Sequence, residues 1–140
     1  MTATEIRDRV SSVVARDPFG FLLSQTPFSF DLQPAGEIDR VFRIESESAG
    51  VVGGFNYSET RTDLVQIWVA RAYQADPEAT YRSLVTDASS LRAAVIRDAH
   101  QISGEYLVPD EGAGVSVQRE AGRAFAVLRV TVPVNYETTV

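Results

Sequence analysis

Proton-transfer chemistry needs a group that titrates near neutrality, and this chain offers one histidine, His100, with Asp98 and Glu105 close to it in sequence. Its spacing puts His100 in the last turn of a long helix, where the carboxyl end favours a charged imidazole, so a structural role is expected. One histidine and no cysteine supply too few nitrogen and sulfur ligands for zinc. Gly53-Gly54 and the Gly112 to Gly114 group match neither a dinucleotide fingerprint nor a phosphate loop, and read as turn glycines. Ser116, in Gly114-Val115-Ser116-Val117-Gln118, lacks the second glycine of a nucleophile elbow and sits mid-strand. The carboxylate pairs Glu45 with Glu47 and Asp110 with Glu111 could act as acid and base or hold calcium, but as neighbours in polar stretches they read as solvated charge. No catalytic, cofactor-binding or metal-binding residue is expected. The competing reading is a small enzyme or ligand-binding α/β domain with His100 and nearby acids lining a pocket.

The elements that would position these residues follow from periodicity. A capping box at Thr2 and Glu5 opens a helix with Ile6, Val10, Val13 and Val14 on one stripe, ended by Asp17-Pro18. Phe28, Phe30 and Leu32 alternate as a short strand, and a second strand runs from about Ile38 to Glu47, with Ile38, Phe42 and Ile44 opposite Val41 and Arg43. Ser46 to Asp63, rich in Gly, Ser, Glu and Thr, is expected to be a long loop. Leu64 to Tyr73 is apolar on both faces and should be a central strand.

Asp76-Pro77-Glu78 signals a helix start, and the helix should reach about Ile102 with Tyr81, Leu84, Val85, Ala88, Leu91, Val95 and Ile102 on its packed stripe. An acidic loop over 105–114 then leads to a strand at Val115 to Glu120, a turn at Ala121-Gly122, and a return strand from Ala124 to Tyr136. That strand would span more than about 40 Å, twice the usual length, so part of it is expected to pair outside its own subunit. Pro133 fits an edge or a bulge. The fold class is α+β: a mixed or antiparallel sheet of about four to five strands, one long helix on a face, an N-terminal helix and a C-terminal hairpin, in a single domain over residues 1–140.

Composition narrows the function. The chain has 140 residues, 44% of them hydrophobic, enough for one core. It has no run long and apolar enough for a bilayer helix, and its first ten residues are unlike a secretory signal, so no membrane is expected and a cytosol-like compartment is. All 13 basic residues are arginine, which removes lysine chemistry and suits interfaces. A net charge of −6 argues against gripping nucleic acid.

The element order, together with the runs Leu64–Tyr73 (LVQIWVARAY), Asp76–Ala79 (DPEA) and Arg123–Val134 (RAFAVLRVTVPV), resembles the tail terminator proteins of long-tailed bacteriophages and phage-like particles, over about residues 3 to 136. The resemblance implies a structural virion protein, made in the host cytoplasm, that forms a ring, usually a hexamer. Such a ring caps the head-proximal end of the tail tube, stops polymerisation and joins the head. Its partners would be copies of itself, the tail tube protein and head-tail connector proteins, and DNA would pass through the lumen without specific binding. A six-subunit ring would carry a charge of about −36, repelling DNA. By position, the resemblance implies interface roles for Phe55, Tyr57 and Arg61 in the long loop, Asp110 and Glu111 in the acidic loop, and Arg119, Arg123 and Arg129 on the hairpin. A head-tail connector or stopper, or a tail completion protein, is the alternative in the same class.

Overall fold

Thr2 caps the first helix as its composition demands: its hydroxyl accepts from the Glu5 amide at 3.2 Å, and the Glu5 carboxylate accepts from the Thr2 amide at 3.2 Å. Helix α1 spans Ala3–Ala15 and buries Ile6, Val10, Val13 and Val14, the stripe the spacing requires. The structure is a computed structural model that describes residues 1–16, 19–24, 30, 39–55, 57–73, 75–109, 114–119 and 125–139; of 49, 52 and 114–119 it describes the backbone alone. The strand expected around Phe28 to Leu32 lies outside those residues apart from Phe30.

After α1 the order is β1 (Leu22–Leu23), β2 (Val41–Phe55), β3 (Ser58–Ala72), α2 (Pro77–Arg97), a π-helical turn (Asp98–Ser103), β4 (Tyr106–Leu107), β5 (Gly114–Arg119) and β6 (Phe125–Thr139). The sheet has six strands, with β3 and β6 at its centre, β2 outside β3, β1 parallel to the start of β2, and β4 and β5 both against β6. Two of the six are only two residues long, so the four long strands match the expected count and the fold is α+β. The C-terminal hairpin is present as β5 and β6.

Both helices lie on one face. Val65, Ile67 and Val69 of β3, Phe42 and Ile44 of β2, and alternate residues of β6 from Ala126 to Tyr136 form the main core with the α1 stripe and with Leu84, Ala88, Leu91 and Val95 of α2. The opposite face carries a smaller cluster of Phe30, Val41, Ala70, Phe125 and Val127, with Trp68 packed against it. Burial on both faces is what made Leu64 to Tyr73 read as central.

Four expectations are corrected. The segment 46–63 is not a loop: β2 and β3 run antiparallel from Val41↔Ala70 to Phe55↔Ser58, and β2 absorbs its surplus residues in irregularities at Ser48/Gly50 and Val51/Gly53. The long return strand needs no second subunit, because β3 is equally long and pairs with it from Ser58↔Thr139 to Ala72↔Phe125. Pro133 lies inside β6 opposite Leu64. On the other side of β6, β5 pairing ends at Thr131 and β4 pairing begins at Asn135, so at Pro133 that side of the strand is a local edge among the described residues, where a proline is tolerated. Finally, Tyr81, Val85 and Ile102 are exposed rather than packed, while Thr80 and Asp87 take buried positions on α2. Widening of the helix into a π turn at Asp98 shifts the phase of the stripe before Ile102.

Candidate functional site

The register of β2 and β3 decides where the candidate interface residues fall. Arg61 sits in β3 opposite Val51 and Tyr136, while Phe55 ends β2 and Tyr57 lies in the turn. From Ser58 to Thr62 no β3 residue is buried, whereas Asp63 is. On β6 the last buried residue is Tyr136, opposite Arg61, so the strands continue about 10 Å past the last buried position, as a three-stranded ribbon of β2, β3 and β6. Phe55 and Tyr57 stand at its end, 81% and 78% exposed.

The ribbon is stiffened from within. Asp63, buried at the base, accepts from the Tyr136 hydroxyl at 2.9 Å, and Thr62 Oγ1 bonds Asn135 Oδ1 at 2.7 Å. Burial, and then the hydrogen bond and charge of Asp63, push the Tyr136 phenol up to about 12. Gly50 adopts φ +120°, a backbone conformation closed to most side chains. At Gly54 a Cβ would lie 3.0 Å from the Ser58 carbonyl oxygen, so the strands approach closely just before the tip.

Arg129 belongs to a second constellation, on the sheet face away from the helices. Arg43, Trp68 and Arg129 occupy one cross-strand row on β2, β3 and β6. The guanidinium carbons of Arg43 and Arg129 lie 4.3 and 5.4 Å from the Trp68 ring, a cation–π stack two cations deep. Arg43 also pairs with Glu45, which takes that carboxylate out of the Glu45–Glu47 pair. Trp68 Nε1 and Arg129 Nε are buried with no hydrogen-bond partner among the described residues, and so is Arg61 Nε.

The remaining candidates are not brought together. Asp110, Glu111 and Arg123 lie outside the described residues, and of Arg119 only the backbone is described, closing β5 opposite Ala126. His100 Nε2 is 3.1 Å from the Val108 carbonyl oxygen and 3.2 Å from the Val108 amide nitrogen, so its ring is engaged with the backbone of the segment after β4. The Asp98 carboxylate points elsewhere, to Arg9, Arg16 and Tyr106. Among the described residues no three acidic or histidine side chains are grouped to hold a metal ion, and no helix is long and apolar enough to cross a membrane.

Sequence reasoning missed the ribbon as an element although β2 and β3 form a local hairpin closed at Phe55↔Ser58; only its third strand pairs from far along the chain, Ser58 opposite Thr139. The alternation of Thr60, Thr62 and Leu64 with Glu59, Arg61 and Asp63 was the available signal, masked by three glycines in β2. What the arrangement offers chemically is a rigid projection ending in two bare aromatic rings, the residue class that anchors protein interfaces. No protein-family model and no curated protein matches this chain.

Proposed function

We propose that this chain is a structural subunit that assembles with copies of itself into a ring, in the manner of a tail terminator, and that the ring closes the head-proximal end of a tail tube and offers the surface that joins the head. The observation that carries the reading is the β2–β3 ribbon: its ladder extends from the core sheet through two irregularities in β2, yet it ends on Phe55 and Tyr57 in solvent. Leaving two aromatic rings in water wastes roughly 1.5 to 3 kcal/mol each relative to burial. A rigid element that presents them is suited to a contact made by a partner, because little order is lost on binding. The element order of helix, strand pair, long helix and terminal hairpin supports the terminator form of the reading over a generic adaptor.

The test is assembly. Purified chain, alone and mixed with tube protein, is to be weighed by light scattering and imaged by negative stain. Rings, free or seated on one end of a tube, are expected; a strict monomer that also leaves tube length and tube ends unchanged would sink the reading. Rings seated on a portal or connector and never on tubes would move the chain to the connector role.

A further inference from the structure

On the helical side of the molecule, between the C-terminal half of α1 and the later turns of α2, lies a groove of about 410 Å³ lined by Val13, Arg16, Phe19, Ala93, Arg97 and Ile102. Its floor is apolar: Val13 is buried, and Phe19 packs partly buried against the main core. Ile102, turned outward within the π turn, is 54% exposed at its edge. Its rim is cationic. Arg16 contacts Asp98 at 3.2 Å and keeps 49% of its side chain in solvent; Arg97 is exposed and has no ion pair among the described residues.

The ribbon end has the complementary character. Phe55 and Tyr57 are bare aromatics, and Glu59, next but one along β3, has no ion pair among the described residues. An apolar slot edged by arginines and an aromatic pair followed by a carboxylate match in both polarity and charge sign. The two cannot meet within one molecule. β3 is held in unbroken register with β6 out to Ser58↔Thr139, and β2 stays paired with β3 out to Phe55↔Ser58, so the tip cannot fold back over the helices without breaking that ladder.

We propose that the α1–α2 groove receives the Phe55 and Tyr57 tip of a second copy of this chain, with Glu59 of the incoming ribbon meeting Arg97. The contact joins two different surfaces, so the growing assembly keeps one free ribbon at one end and one free groove at the other after every addition. Contacts of this heterologous kind close into rings when the rotation per step allows. The inference rests on the ring reading above and names the surfaces that make the ring.

The absence of cysteine makes the test clean. Two full-length single-cysteine variants, Ser58→Cys and Ala93→Cys, are oxidised mildly, each alone and in equimolar mixture; both positions are exposed, so neither change disturbs the core, and the Phe55 and Tyr57 rings are kept. Covalent dimers in the mixture, at about tenfold or more over either variant alone, are expected. Rings in the microscope without a 58–93 link would overturn the proposed contact and leave the ring reading standing, whereas a strict monomer with no link would overturn both. Dimers of the Ser58→Cys variant alone at the mixture's level would mean a two-fold, tip-to-tip contact and would also overturn it. Independently, Arg97→Glu should weaken assembly about tenfold and Glu59→Arg in the same chain should restore it; failure of the reversed pair to recover, with the helical signal intact, counts against the proposal.

Discussion

Asp98 shows how a single carboxylate can hold two layers together. It is fully buried, yet it accepts from Arg9 at 3.0 and 2.9 Å, from Arg16 at 3.2 Å and from the Tyr106 hydroxyl at 2.7 Å, tying α1 to the end of α2 and to β4. Burial pushes its pKa up, but the hydrogen bonds from Arg9 and Tyr106, and then the Arg9 charge, outweigh burial and hold it below the ordinary carboxylate value. A lowered folded-state pKa contributes stability that is present above the unfolded value and lost as pH falls through the folded one. Asp98→Asn is therefore expected to cost about 3 kcal/mol at neutral pH, because it strands buried donors, and the gap from the natural protein should narrow below about pH 4. Urea midpoints at pH 7, 5 and 3 measure it. Tyr136 supplies the opposite sign. Its raised pKa, about 12, makes a contribution that is full below the unfolded value near 10 and lost as pH rises toward 12. Tyr136→Phe should flatten that alkaline loss, read from unfolding midpoints between pH 9 and 12.

At the scale of elements, the parts legible in the sequence were those whose pattern is local. The α1 stripe, the Asp76-Pro77 start of α2, and the two-faced apolar run of β3 each show their period within a dozen residues, and each lies where that period puts it. The ribbon was illegible because Gly50, Gly53 and Gly54 carry a turn signature that hides a local strand pair, and because its third strand, β6, pairs from about 80 positions away. The candidate interface suffered the same way: Phe55 and Tyr57 were expected as contact residues of a loop, and the structure puts them at the exposed end of a strand pair. The glycines separate by mechanism. Gly50→Val should cost about 1 to 3 kcal/mol, since φ +120° is strained for any side chain. Gly53→Ala, with open space around its Cβ, should cost about 0.5 kcal/mol or less. Thermal melts of the two variants are expected to differ clearly, and equal melts would mean that the irregularity at Gly50 relaxes.

For the whole molecule, the length of β6 has a different meaning from the one the sequence carried. An overlong terminal strand implied an arm reaching out of the subunit, and removal of everything after Val130 would then abolish assembly and spare the monomer. In the structure that segment holds Val132, Val134 and Tyr136, all buried, and the ladder to β3 from Asn135 to Thr139. Truncation there should unfold the chain, because it opens a cavity three side chains deep and exposes an edge of β3 at once. If the chain assembles through the ribbon tip as proposed, assembly and stability are separable at the other end of the same ribbon. Phe55→Ser with Tyr57→Ser removes two exposed rings that bury nothing in the monomer, so stability should change by about 0.5 kcal/mol or less. The helical circular dichroism signal and the melting temperature are expected to stay in place while the mass in solution falls to that of one chain. A variant that keeps its rings would remove the ribbon tip from the assembly and shift the contact to the Arg43–Trp68–Arg129 face, where Trp68, the only tryptophan, would report a partner's arrival by its fluorescence.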